Sequence, residues 1–139
     1  MTKSLSILVL LSGAILLLVF SCATVPTEPL GPGEMKLLSL EVPQKEDLRE
    51  SLPFVVQISF LADNNPEIVT ACFFWSGNGP YCSKVTYLNY GTPGTIKVQL
   101  LPKSTGVIAL EGYIVYKNDG KNLSTNVVGT NIRIIRRSL

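Results

Sequence analysis

The chain has 139 residues, a length typical of a single domain. Its 12 Lys and Arg residues against 10 Asp and Glu give a formal net charge of +2, which argues against nucleic acid as a partner. Because the sequence has no His, it lacks the side chain that most often acts as a general base or binds zinc near neutral pH.

The first segment predicts export across a membrane. Lys3 precedes an apolar stretch, Leu5–Phe20, which as a helix would rise only about 24 Å, less than the roughly 30 Å of a hydrocarbon core. A positively charged start, a short apolar stretch and small residues after it are typical of a secretory signal peptide. We therefore predict that residues 1–21 are a signal peptide and that the chain after it is translocated.

The end of this stretch, Val19, Phe20, Ser21 and Cys22, resembles the lipobox of bacterial lipoproteins. The resemblance implies that Cys22 carries a diacylglycerol and becomes the mature N-terminus. Ala23, rather than an Asp, then implies the outer membrane, with the domain facing the periplasm or the cell surface. Two alternatives remain: ordinary signal peptidase cleaves after Ala23 and releases a soluble protein, or the apolar stretch stays as a short anchor.

The composition of residues 22–34 predicts a tether that begins at the lipidated Cys22. Proline recurs at every third position with glycine beside it, at Pro26, Pro29, Gly31, Pro32 and Gly33. Proline fixes φ and disfavours helix in the residue before it, so the stretch is expected to be extended. At about 3.1 Å per residue, residues 23–34 could hold a domain roughly 37 Å from the membrane.

Residues 35–139 predict one all-β domain. Apolar and polar side chains alternate there, as in Ile96–Leu100, which is typical of half-buried antiparallel strands. Asn, Gly and Pro clusters mark the turns. Only Gln44–Leu52 has a briefly helical pattern. The seven predicted strands lie at about 36–42, 54–62, 67–76, 81–88, 95–101, 107–117 and 125–135.

Seven short strands separated by turns indicate a β-sandwich. With Trp75 near the end of the third strand and Tyr113 and Tyr116 in the sixth, residues 36–135 resemble an immunoglobulin-like or fibronectin type III-like domain. The resemblance implies a seven-stranded antiparallel immunoglobulin-like sandwich. The inter-sheet disulfide of antibody domains cannot form, since the second and sixth strands have no Cys.

Cys72 and Cys82 are predicted to form a disulfide, because an exported pair of cysteines meets an oxidising compartment. A hairpin centred on Gly77 places Cys72 opposite Cys82 and Phe73 opposite Tyr81. A slip of one residue would break this pairing and the partition of apolar side chains together. The predicted apolar face comprises Val69, Ala71, Phe73, Trp75, Tyr81, Val85 and Tyr87.

No group of residues predicts catalysis, a cofactor or a metal. The carboxylates of Glu46, Asp47 and Glu50 lie in a charged stretch that offers no burial to separate their pKa values. The loop 63–67 could offer oxygen ligands to Ca²⁺, but Asp and Asn before Pro are also ordinary turn residues. We expect a protein that is not an enzyme.

Two polar loops form the candidate binding site. In an immunoglobulin-like sandwich the loops after the second and sixth strands cluster at one end, and loops on a rigid sandwich are common binding sites. Tyr87 and Tyr90 offer a second surface that could stack on sugar rings. Arg133, Arg136 and Arg137 could contact anionic lipid. The predicted loop residues are Asp63, Asn64, Asn65, Asn118, Asp119, Lys121 and Asn122.

These features together predict a cell-envelope lipoprotein. Its β-sandwich is expected to act as a non-catalytic binding or structural module, tethered to the outer membrane by the lipid on Cys22. The expected partner is an envelope protein or a glycan. The alternatives are a carbohydrate-binding accessory lipoprotein and, if Cys22 is not acylated, a secreted soluble β-sandwich protein.

Overall fold

The computed structural model describes residues 29–43 and 47–136, so the predictions for residues 1–21 and for Cys22 lie outside the described residues. The described part contains ten strands and no helix. None of it forms a helix long and apolar enough to span a membrane. The strands are β1 (Met35–Glu41), β2 (Leu48–Arg49), β3 (Phe54–Ala62), β4 (Glu67–Trp75), β5 (Asn78–Ser83), β6 (Tyr87–Asn89), β7 (Gly94–Leu100), β8 (Gly106–Asn118), β9 (Lys121–Ser124) and β10 (Val128–Ile135).

The strands form two sheets, which confirms the predicted all-β fold. One sheet has the order β1-β3-β7-β6, and the other has β2-β10-β8-β4-β5 with β9 also beside β8. Every pairing is antiparallel except that of β2 with β10. The structure has ten strands rather than seven because 81–88 divides into β5 and β6, β9 precedes β10, and β2 was not predicted.

The core lies between the two sheets. In β3 and β7 alternate side chains are buried, as the period of two predicts. Trp75 packs its ring edge-to-face on Phe54 with centroids 6.0 Å apart, and Tyr116 is also buried. Tyr113 instead lies on the outer face of its sheet, where its ring contacts Phe74 with centroids 5.9 Å apart.

The helix that the pattern of Gln44–Leu52 indicated is wrong for the part of this stretch that the structure describes. Leu48 and Arg49 form β2, which pairs with Ile134 and Ile135 of β10. The Leu48 side chain is buried in the core. So short a segment gains little from helix formation on its own, and packing of Leu48 decides its structure.

The hairpin of β4 and β5 confirms the disulfide and its register. Cys72 pairs with Cys82 and Phe73 with Tyr81, and the two sulfur atoms are 2.02 Å apart. The predicted apolar face is wrong at Val69, Tyr81 and Tyr87, whose side chains are exposed. Val69 lies at a register shift in the pairing of β4 with β8. Tyr81 and Tyr87 belong to β5 and β6, the two strands that lie in different sheets on either side of the Lys84–Thr86 connection.

The strands β5 and β6 cross between the two sheets. β5 pairs with the second half of β4, and after Lys84–Thr86 the chain joins the other sheet as β6, which pairs with the first half of β7. On the side of the sandwich where this crossing lies, no strand among the described residues pairs with the first part of β4, Glu67–Val69, or with the last part of β7, Val98–Leu100. We call this uncovered side of the sandwich the open side.

Candidate functional site

The two predicted binding loops meet at one end of the sandwich, around the segment that leads into β1. The Gly33 amide donates a hydrogen bond to Asp63 Oδ2 over 2.8 Å. Asn118 Nδ2 donates to the Pro32 carbonyl over 3.0 Å. One side chain from each loop thus holds the incoming chain. We call this end, formed by 31–34, 63–66 and 118–121, the linker end.

Local sequence explains the shape of the linker end. Asp119 and Gly120 have φ values of 52° and 73°, which makes the β8–β9 connection a tight hairpin turn. Gly33 also has a positive φ, 69°, and a Cβ there would lie 2.5 Å from Asn118 Oδ1. Glycine is therefore required where the linker passes between the loops.

Two of the seven predicted loop residues hold the linker. The carboxylate of Asp63 and the amide of Asn118 contact Gly33 and Pro32, a role that sequence reasoning missed. No local pattern in the sequence marks these contacts, because their partners lie 30 and 86 positions apart along the chain. The remaining five side chains lie exposed at or beside the same end, where their binding role stays a prediction: Asn64, Asn65, Asp119, Lys121 and Asn122.

The open side carries two grooves, one on each side of the Lys84–Thr86 crossing. The first, which we call the Tyr87 groove, has a volume of about 440 Å³. The second, the Tyr81 groove, has a volume of about 470 Å³. The Tyr87 groove is lined by Glu67, Ile68, Val69, Lys84, Val85, Thr86, Tyr87, Leu88 and Tyr90.

The two tyrosines of the Tyr87 groove differ in how far neighbouring groups hold their side chains in place. The Tyr90 hydroxyl donates to the Pro66 carbonyl, and its ring packs edge-to-face on Phe60. Burial and, to a smaller extent, the Glu67 carboxylate raise the pKa of Tyr90, so its hydroxyl stays protonated and remains a donor. Tyr87 is 47% exposed, with Lys97 Nζ 5.1 Å from its ring centroid, so it can stack on a ligand.

The Tyr81 groove lies between β5 of one sheet and the end of β7 of the other. Tyr81 and Leu101 are exposed there, at 45% and 54%, and Lys103 Nζ lies 4.8 Å from the Tyr81 ring centroid. The rest of its lining is Trp75, Pro80, Cys82, Ser83, Gln99 and Leu100. The Cys72–Cys82 disulfide fixes the β5 wall to its neighbour β4.

The described residues show no cluster of side chains that could hold a metal ion. Within 29–43 and 47–136 no three His, Cys, Asp or Glu side chains come close enough to hold a metal ion, which includes the acidic loop at 63–67. Nor is any polar or charged side chain of this part buried. Arg133 and Arg136 are exposed at the end opposite the linker, and Arg137 lies outside the described residues.

No protein-family model matches this chain, and no curated protein matches it in sequence. What the chain does must therefore be inferred from its residues and their geometry.

Proposed function

We propose that this protein is a lipoprotein of the bacterial outer membrane whose immunoglobulin-like β-sandwich acts as a non-catalytic binding module. The lipid is carried by Cys22, at the end of the apolar stretch Leu5–Phe20. The partner is an envelope protein or a glycan. The observation that carries the proposal is the motif Val19–Cys22 at the end of that stretch. The hold of Asp63 and Asn118 on the linker supports it, since it fixes the side of the domain from which the tether leaves.

The contacts of Asp63 and Asn118 with the linker determine which end of the domain faces the membrane. Since residues 31–34 belong to the domain, only 23–30 act as a spacer, and at about 3.1 Å per residue they reach roughly 25 Å. The linker end then faces the membrane, and its loops have little room for a large partner. The open side, which runs along the strands, stays accessible.

Metabolic labelling tests the anchor. Cells grown with an alkyne-tagged palmitate are expected to label the wild-type protein and a Thr24→Ala control, while Cys22→Ala abolishes the label and leaves the protein out of the membrane fraction. A Cys22→Ala protein that still carries label contradicts the proposal. So does a wild-type protein recovered unlabelled and soluble, which instead supports the secreted alternative.

Amide hydrogen exchange tests the hold on the linker. Replacing Asp63 and Asn118 together by Ala removes both side-chain contacts, so the Gly33 amide should exchange several-fold faster. The matched control is Asn65→Ala, an exposed residue of the same loop for which the structure shows no contact to the linker. Equal exchange at Gly33 in all three proteins would refute the hold.

Carbohydrate binding is the second candidate, and the exposed ring of Tyr87 favours it. An aromatic face beside a lysine suits a sugar ring that carries an acidic group. On a glycan array we expect Tyr87→Ala to lose about tenfold in affinity, or ~1.4 kcal/mol, while Tyr113→Ala on the outer face of the other sheet leaves binding unchanged. An array without any bound glycan removes this candidate.

A further inference from the structure

We infer that the Tyr81 groove binds an extended, acidic peptide segment of an envelope protein, which adds as a strand to the uncovered edge of β7. The inference rests on the proposed function only in that the domain is a binding module. It does not depend on whether Cys22 is acylated.

The edge of β7 is free where the groove begins. β6 pairs only with Thr95, Ile96 and Lys97, so Val98–Leu100 have β3 on one side and no strand on the other among the described residues. A free edge of this kind offers a row of amide and carbonyl groups to another chain. Peptides commonly bind by adding a strand to such an edge.

The direction of the β7 backbone supports this binding mode. The Thr86 amide donates to the Lys97 carbonyl over 3.0 Å, so the polar groups of Lys97 point toward the β6 side. In an antiparallel ladder the direction alternates with each residue. The amide and carbonyl of Gln99, two residues later, therefore point to the same side, where β6 is absent and the groove lies.

The opposite wall of the groove, formed by β5, indicates that the guest peptide pairs with β7 rather than with β5. Cys72 and Cys82 have Cα atoms 4.0 Å apart, the short spacing of a non-hydrogen-bonded pair, so Cys82 directs its amide and carbonyl away from β4. Pro80 lies two residues before Cys82, so its backbone faces the same side, but proline has no amide hydrogen to donate. Proline on an edge strand blocks continuous pairing, and β5 therefore closes the groove without extending its own sheet.

The side chains of the groove indicate the chemistry of the guest strand. Tyr81 and Leu101 present exposed apolar surface to one row of guest side chains. Lys103 lies beside Tyr81, and no Asp or Glu is among the described residues that line the groove. An apolar strand with interspersed carboxylates matches both features, since charge complementarity selects the partner.

The test uses full-length protein in detergent micelles, isotopically labelled for NMR. The probes are an octapeptide of alternating Val and Glu and its Val-Lys counterpart. We expect the Val-Glu peptide to bind, to shift the amide signals of Gln99 and Cys82, and to slow amide exchange at Gln99. Lys103→Glu should weaken binding about fivefold, the upper range for an exposed charge pair, while the control Lys121→Glu at the linker end has no effect.

A second variant tests the main-chain contact. Gln99→Pro removes the amide that faces the free edge, where proline is tolerated, and should abolish binding without loss of the folded Trp75 fluorescence. The inference fails if the Val-Glu peptide does not bind, if the Val-Lys peptide binds equally well, or if the signal changes centre on the Tyr87 groove. Palmitate labelling at Cys22 is read separately, so failure of this inference leaves the proposed anchor standing.

Discussion

Asn126 joins the two sheets through its side chain, and its removal should destabilise the whole domain. The residue lies between β9 and β10 of one sheet and contacts β1 of the other. The Leu37 amide donates to Asn126 Oδ1 over 2.8 Å, and Asn126 Nδ2 donates to the Leu37 carbonyl over 2.9 Å. The side-chain amide thus replaces a neighbouring strand at the outer edge of β1.

The expected size of the effect follows from the burial of Leu37. Each lost hydrogen bond contributes about 0.5–1.5 kcal/mol, and a buried group left without a partner costs about 1–3 kcal/mol. Leu37 is only 2% exposed, whereas Asn126 is an exposed residue, so water can reach part of the space that Asn126→Ala vacates. We expect the free energy of unfolding to fall by about 2 kcal/mol, and the melting temperature by roughly 10 °C.

Urea unfolding followed by fluorescence measures this change. Trp75 is the single tryptophan and is 3% exposed, so its emission reports the opening of the core. The control Asn122→Ala, on an exposed β9 residue, should change the unfolding free energy by less than about 0.5 kcal/mol. Asn126→Asp keeps the acceptor but loses the donor, and should recover stability in acid when its carboxyl is protonated. If Asn126→Ala matches the control, the Asn126 contact does not stabilise the sandwich.

Three further predictions concern the disulfide of the β4–β5 hairpin, the packing of Gly94 against Phe60, and the loss of stability at alkaline pH. Replacing Cys72 and Cys82 by Ala should lower the unfolding free energy by about 2–3 kcal/mol in non-reducing urea, the chain-entropy value for a closed loop of this length; an unchanged midpoint would contradict it. Gly94→Ala places a Cβ 2.3 Å from the Phe60 ring and should cost about 1–3 kcal/mol, seen as a lower melting temperature. Because the pKa of Tyr90 is raised by folding, its contribution is present below about pH 10 and is lost as the pH rises through the folded pKa. Tyr90→Phe should therefore show a weaker loss of stability than wild type as the pH rises above about 10, and parallel curves would refute this.

The alternation of side chains was sufficient to predict the all-β fold and most of its strands, but not β2, β9 or the division of 81–88 into β5 and β6. It also predicted the hairpin register, because Cys72 and Cys82 restrict which residues can lie opposite one another. A period of two indicates which side chains share a face. It does not indicate whether the other sheet reaches far enough to cover them, so Tyr81 and Tyr87 were expected in the core and are exposed.

The contacts that organise the candidate sites join residues distant in sequence, and local patterns do not reveal them. The Gly33 amide and the Asp63 carboxylate meet only because β1 and β3 pair in one register. Likewise, the contact of Asn126 with Leu37 depends on how the two sheets stack. The grooves of the open side follow from the crossing between β5 and β6, which the sequence pattern presented as one continuous strand.

The chain enters the sandwich at one end and leaves it at the other, and this determines how the domain bears mechanical load. β1 begins beside the linker, while the last residues of β10 pair with Gly106 and Arg49 at the opposite end. A pull between these two points runs along the strands and across their hydrogen bonds, which lie perpendicular to it. The bonds between β1 and β3 are then sheared together and cannot unzip one after another, so the fold is built to withstand tension along its length.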